Sequence, residues 1–194
     1  MAYTALETAS IIPDVQTLVD AGITAVGLYA RNDRAPFEMV QRLLGAGIKL
    51  WTVYEQGFPT SLESYAWGAM QAKADCQRLL GWMKMQGQPA GTYAGPAIDF
   101  DAPASAPIQE YLVTFHDALK QEGYLHMPYG GWTALDWALK NGYAHGSWLS
   151  GSTGWSGYDE GKDAADIVQV NAPNGVLGLS GDWNVIRNSS VLWG

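Results

Sequence analysis

TYAGPAIDFDAPAS, residues 92–105, is the stretch on which the fold turns. An apolar approach through Ala94, Pro96, Ala97 and Ile98 meets two carboxylates, Asp99 and Asp101, on either side of Phe100, and then a proline-bearing loop. Successive side chains of an extended strand point to opposite faces. Asp99 and Asp101 are therefore expected to share one face, with Phe100 packing behind them. Like charges side by side repel, so a buried strand that ends on both implies a use for the pair.

Outward from this segment, strands and helices alternate. A helix is expected over residues 61–85, rich in good helix formers and stopped by Gly87, and another over 108–122 with Gly123 after it. Earlier strands fall at 3–7, 23–30 and 48–55, with helices at 13–21 and 37–44 between them. Later strands are YLHMPYGG, HGSWLS, residues 166–170 and a last pair within GVLGLSGDWNVI; a helix spans 133–140 and a Gly/Ser/Trp-rich loop 151–161. This alternation predicts an α/β fold with a parallel sheet. About eight strands fit a closed (β/α)8 TIM-like barrel. Such barrels typically run ~250 residues, so this one is compact, a single domain over residues 1–194 with its later helices reduced. A doubly wound open sheet is the alternative. No Gly-x-Gly-x-x-Gly turn follows the first strand and there is no phosphate loop, which argues against its nucleotide-binding version.

In a parallel barrel the working groups sit at the C-terminal ends of the strands. Those ends carry Glu7, Tyr29 with Arg31, Glu55, Asp99 with Asp101, Tyr129, Trp148, Gln169 and Asp182-Trp183-Asn184. Each acid taken alone also suits a turn or a helix cap, and each aromatic a core. Together the acids form a cluster, with Arg31 as its neutralising partner. Neighbouring carboxylates acquire different pKa values, so one stays protonated while another stays ionised. Glycosidic cleavage needs that combination: an acid for the leaving oxygen and a carboxylate for the oxocarbenium-like centre or the water. Glu7, Glu55, Asp99, Asp101 and Asp182 are the candidate catalytic acids. Tyr29, Arg31, Tyr129, Trp148, Gln169, Trp183 and Asn184 are the candidates for holding a ligand.

Other chemistries fit less well. His116, His126 and His145 fall on a helix, a strand and a loop, without zinc-like spacing, so no metal and no other cofactor is expected. Gly-Leu-Ser-Gly-Asp around Ser180 is not a nucleophile elbow. Cys76, the one cysteine, reads as a packing residue. With 19 acidic and 11 basic residues, net charge −8, no Lys/Arg stripe is available for a nucleic acid backbone. Nine Trp and ten Tyr exceed what so short a chain needs in its core, and a surplus around a cleft suits stacking on sugar rings. No stretch reaches the ~20 apolar residues of a membrane span, and MAYTALETAS lacks the build of a signal peptide. The chain is expected to be made in the cytoplasm as a soluble monomer.

The segments ALETAS, AGITAVGLYAR, AGIKLWTVYEQG, YAWGAMQAKADCQRLLGWMKMQGQPAGT, PAIDFDA, YLHMPYGG and GDWNVI, in that order, resemble the glycoside-hydrolase-like family of TIM barrels. That family occurs in secreted actinobacterial proteins and phage lysins and is related to the family 25 muramidases. The resemblance implies a cell-wall glycan, peptidoglycan or a related amino-sugar polymer, as the ligand. Asp99 and Asp101 stand where the muramidases have Asp-x-Glu, whose second acid is the proton donor, which points to Asp101 as general acid with Asp99 raising its pKa. Glu55 matches the third-strand acid of the nearer group and Asp182 the eighth-strand acid. Glu7 departs from the Asp usual on the first strand, and Asp101 from the muramidase Glu. The implied activity is a phage or prophage lysin of muramidase type that reaches the wall after release or on a virion. The alternative is a non-catalytic barrel that binds wall glycan.

Overall fold

The computed structural model describes residues 4–55 and 61–194. Tyr3, the expected start of the first strand, and the expected Gln56-Gly57 turn lie outside the described residues. The elements run β1 (Ala5–Thr8), α1 (Val15–Asp20), β2 (Ala25–Tyr29), α2 (Phe37–Gly45), β3 (Lys49–Tyr54), α3 (Gly68–Gln86), β4 (Tyr93–Ile98), α4 (Ala106–Gln121), β5 (Leu125–His126), β6 (Tyr129–Gly130), α5 (Trp132–Lys140), β7 (Trp148–Leu149), α6 (Tyr158–Ala164), β8 (Ile167–Val170) and β9 (Gly181–Ile186). They close into a TIM-like barrel with helices outside. Nine strand segments fill eight wall positions, because β5 and β6 both pair with β4 and share one. Between them the chain steps inward at Met127-Pro128, and Gly95 on β4 makes room: a Cβ there would run into the Met127 carbonyl.

Side-chain alternation along the wall separates two cores. Leu6, Val26, Leu28 and Leu50 face outward against Leu18, Val40, Leu43, Leu79, Leu112 and Phe115 from the helices. Ala5, Ala25, Trp51, Val53, Ala97 and Trp148 fill the interior. Small residues on β1 and β2 leave space that the two indoles take, Trp51 and Trp148 meeting edge to face at 5.7 Å. Gly27 belongs to this fit, since a Cβ on it would overlap the Trp51 ring. The interior is a packed plug that floors the mouth.

Three expectations need correction. The last strand is not parallel: β9 runs antiparallel to both β8 and β1. Parallel strands need a crossover of roughly a dozen residues or more, usually a helix, and residues 171–180 form a loop closed by the Val176–Leu179 bridge instead. The helix expected over 61–85 divides into a 3-10 turn, Leu62–Tyr65, and α3. The break is at Gly68, whose φ of +40° disfavours any side chain and where a Cβ would have to push the Glu110 carboxylate of α4 aside. The loop expected over 151–161 contains the start of α6, a short helix interrupted in sequence by Gly161, which packs directly on Trp132.

The histidines, separated in sequence, gather between α4 and β5. His116 stacks on His145 at 5.1 Å and lies 6.1 Å from His126, whose Nδ1 is 2.6 Å from the Tyr143 carbonyl. Burial pushes all three below their ordinary pKa, His126 to about 3. A depressed histidine contributes stability above its unfolded value of ~6.5 and loses it as pH falls toward the folded one. His126→Leu is expected to lose fewer degrees of melting temperature than the parent between pH 7 and pH 4. Parallel melting curves would count against this cluster as an acid-labile point.

Candidate active site

Each of the eight wall positions sends one polar side chain into a single cavity of about 220 Å³ at the mouth: Glu7, Tyr29, Glu55, Asp99, Tyr129, Ser150, Gln169 and Asp182, over a floor that includes Val53, Ala97 and Trp148. The strand-end rule explains seven of them. Asp182 reaches the mouth for the opposite reason, since β9 enters there and Asp182 stands directly across from Glu7 in antiparallel register. Two carboxyls opposed in this way repel, and Gln169 separates them. Its Nε2 donates to Glu7 Oε1 at 3.0 Å and to Asp182 Oδ2 at 3.2 Å. Its Oε1 accepts from the Gly151 N–H at 2.9 Å and lies 3.0 Å from Tyr129 Oη. The Gly151 donor fixes which way the amide points. Asp182 Oδ1 accepts from the Ala172 N–H, so N–H donors engage both of its oxygens.

The acids differ in environment. Burial drives Glu7 up to about 7, helped by Asp182 and Glu55 and opposed by its hydrogen bonds to Gln169 and Tyr29. Burial also drives Glu55 up to about 7, with Asp99 adding to the rise and Arg31 and Arg34 pulling against it. Asp99 is raised too, by burial and by Asp182, while its bond with Tyr129 Oη at 3.3 Å holds it down. Among the described residues no hydrogen bond shifts the Glu55 carboxyl. The cavity therefore holds acids able to carry a proton near neutral pH beside others anchored by donors.

The raised Glu7 also sets a stability trend. A carboxyl whose folded pKa lies above its unfolded one stabilises below the unfolded value, ~4.5, and loses that contribution as pH rises through about 7. At pH 8 the charged Glu7 is a cost of up to about 3 kcal/mol. Glu7→Gln is expected to melt several degrees higher than the parent at pH 8 and no higher at pH 4; a gain of equal size at both values would disconnect it from titration.

Not every expected residue arrives. Asp101 is exposed and does not line the cavity: it accepts from Ser156 N at 3.0 Å and Ser156 Oγ at 2.9 Å, tying down the loop after β7. The chain leaves the wall after Ile98 and bends at Phe100, with Ala102 N–H donating to the Phe100 carbonyl at 2.7 Å, so strand alternation does not extend to Asp101. Phe100 packs on the outer core as expected. Arg31 is not the partner of the cluster: its fork grips Asp33, Nε to Oδ1 at 3.1 Å and Nη2 to Oδ2 at 2.8 Å, and only its field reaches Glu55. Trp183 packs against the outer core. Asn184 lies buried below the mouth, accepting from Trp148 Nε1 at 2.8 Å.

The profile of the Rv2525c-like, glycoside hydrolase-like domain matches residues 16–181. The chain belongs to that family. Among solved structures, the Tat-secreted protein Rv2525c of Mycobacterium tuberculosis, in complex with L-tartrate, superposes with a TM-score of 0.80 at 21% identity, covering 100% of both chains. The catalytic domain of endolysin ply40 from bacteriophage P40 of Listeria monocytogenes follows the same path with a TM-score of 0.64 at 14% identity, over 98% of this chain and 96% of that one. The modular autolysin LytC of Streptococcus pneumoniae, in complex with a synthetic peptidoglycan ligand, gives 0.58 at 13% identity, over 94% of this chain and 45% of LytC. No curated protein matches the chain. At these identities the likeness is one of fold: a glycoside hydrolase-like barrel of the kind found in lysins. Within this Rv2525c-like barrel, Ser150, Ser152 and Asn171 line the cavity without having been expected. Ser150 closes the segment HGSWLS, so the strand-end rule that selected Trp148 also reaches it.

Proposed function

We propose that this protein hydrolyses the glycan of peptidoglycan, or a related amino-sugar polymer, as a muramidase. The observation that carries the proposal is Glu55: a buried carboxyl in the mouth cavity whose pKa is raised to about 7. Glu55 gives its proton to the glycosidic oxygen as the bond to the anomeric carbon breaks, and the leaving sugar departs as an alcohol. Asp99, beside it, supports the positive charge at that carbon or holds the 2-acetamido group. Water completes the cleavage, its oxygen bonding to the anomeric carbon and one of its protons returning to the acid. Gln169 and Tyr129 keep Glu7, Asp182 and Asp99 in place through the bonds described above. The rate is expected to fall about tenfold per pH unit above about 7 as Glu55 loses its proton.

Support for a wall substrate comes from the relatives, since LytC was solved with a peptidoglycan ligand and ply40 is an endolysin. Rv2525c is Tat-secreted, and among the described residues no helix is long and apolar enough to cross a membrane. The protein meets the wall from outside the cytoplasm, by export or as a phage or prophage lysin; neighbouring holin or tail genes separate the two. It works as a monomer, which sedimentation tests. Purified peptidoglycan incubated with the protein should gain reducing N-acetylmuramic acid ends, detected by mass spectrometry. Tight binding with no new ends would leave a glycan-binding module in place of an enzyme.

A further inference from the structure

A second depression lies beside the acid cavity, between α3 and the loop that follows β2. It is a trough of about 740 Å³, with Trp82 and Gly81 beneath it and Arg31, Arg78 and Tyr54 around it. Tyr54 faces the outer side of β3 and Glu55 the cavity, so trough and cavity lie on the two sides of the wall at that strand's end, where the field of Arg31 reaches Glu55. The buried Tyr54 holds the Arg78 guanidinium through its side chain, and Asp75 Oδ1 sits 3.2 Å from it. On the other wall Arg31 already demonstrates its fit to a carboxylate, taking both oxygens of Asp33. That Asp33 side chain is 61% exposed. Solvent-exposed ion pairs are worth little, so exchanging Asp33 for an incoming carboxylate costs little.

Gly81 is the second, independent sign. It sits in the middle of the 19-residue helix α3, where glycine is less stable than alanine. Its φ is not positive, and a Cβ on it would meet nothing within 4 Å, so neither backbone conformation nor packing calls for glycine. What its missing side chain does is leave the trough open. A chain with net charge −8 and four carboxyls in its cavity repels anionic ligands. Arg31 and Arg78 line the trough with Asp33 and Asp75 as their partners, so it lacks the carboxyl excess of the cavity, and their planar forks suit carboxylates.

We propose that this trough is a second subsite, receiving a carboxylate-bearing substituent of the glycan whose backbone enters the acid cavity. It rests on the hydrolase assignment above for the glycan and on Arg31, Arg78 and Gly81 for the carboxylate. A wall glycan carries that chemistry in two forms: the free lactyl carboxylate of N-acetylmuramic acid where no stem is attached, and the carboxylates of the peptide stem where the lactyl carboxyl is bonded to it as an amide.

Titration calorimetry on full-length protein carrying Glu55→Gln, which prevents turnover, tests this with three ligands. They are a neutral β-1,4-linked N-acetylglucosamine tetramer, a tetrasaccharide alternating with N-acetylmuramic acid bearing free lactyl groups, and the same with peptide stems. The carboxylate-bearing ligands are expected to bind about tenfold more tightly than the neutral one. A gain already present without stems assigns the subsite to the lactyl group, and one that appears only with stems assigns it to the peptide. Adding Arg31→Gln with Arg78→Gln, or adding Gly81→Leu alone, should erase the difference. Gly81→Leu should melt at or above its parent, because leucine is the better helix former. Equal affinity for all three ligands, or a gain that survives both changes, overturns the subsite and leaves the hydrolase assignment standing. Binding of none of the three removes that assignment, and the subsite with it.

Discussion

Glu55→Gln is expected to lower peptidoglycan turnover by about 10³-fold, while Asp101→Asn stays within about threefold of the parent. The amide is close in shape to the protonated carboxyl, so the change removes a transferable proton without opening a cavity. Its melting temperature should match the parent near pH 5 and exceed it at pH 8, where the parent's Glu55 is charged against its burial. Asp101 is the proton donor implied by the muramidase motif, yet its carboxylate is committed to Ser156 on the exposed side of the mouth. Dye release from labelled wall, measured on both variants in parallel, decides between them. A full loss in Asp101→Asn with near-normal Glu55→Gln would return the role to Asp101 and sink the assignment made from the cavity.

Gly181→Ala is expected to cost about 4 kcal/mol or more and to lower the melting temperature by roughly 10 °C. A Cβ at this position would run into the carbonyl oxygen of Glu7, on the strand facing β9. The obstacle is backbone, so no rotamer change relieves it, and the displaced strand is the one that closes the barrel. Activity should fall along with stability, because the same seam sets Glu7 opposite Asp182. Gly154→Ala is the matched control: its Cβ meets nothing within 4 Å and its φ is not positive. If Gly181→Ala melts within about 2 °C of the control, the seam is not closed as described.

Most of the wall and most of the site could be read from local pattern. Alternating apolar strands, and helices stopped at Gly87 and Gly123, set out the α/β order. The strand-end rule found Glu7, Tyr29, Glu55, Asp99, Tyr129, Trp148 and Gln169 because position along a strand fixes both depth and facing. What stayed hidden depends on information that a strand does not carry. The direction of β9 is invisible in GDWNVI itself; only the absence of a helix over 171–180 signals it, and Asp182 reaches the mouth because β9 enters there, not because a parallel strand ends there. Alternation carried past Ile98 puts Asp101 on the face of Asp99, but the chain has left the sheet there, and the proton-donor role of Asp101 rests on the family resemblance alone. Arg31 reads as the partner of the acid cluster, but Asp33 stands two residues away, and a local bidentate pair forms without any long-range closure. The gathering of His116, His126 and His145 follows from packing of α4 on β5, which no spacing in the sequence encodes.

The reversal of β9 makes assembly of the mouth sequential in time. Gln169, which holds the Glu7 carboxyl, and Asp182, which stands across from it, leave the ribosome well after Glu7. Until β9 arrives, β1 and β8 each lack a neighbour on one side, and Glu7 has no strand across from it. A chain that has not yet made β9 is therefore prone to pair with other strands, and the ring of polar side chains at the mouth is complete only when β9 is in place.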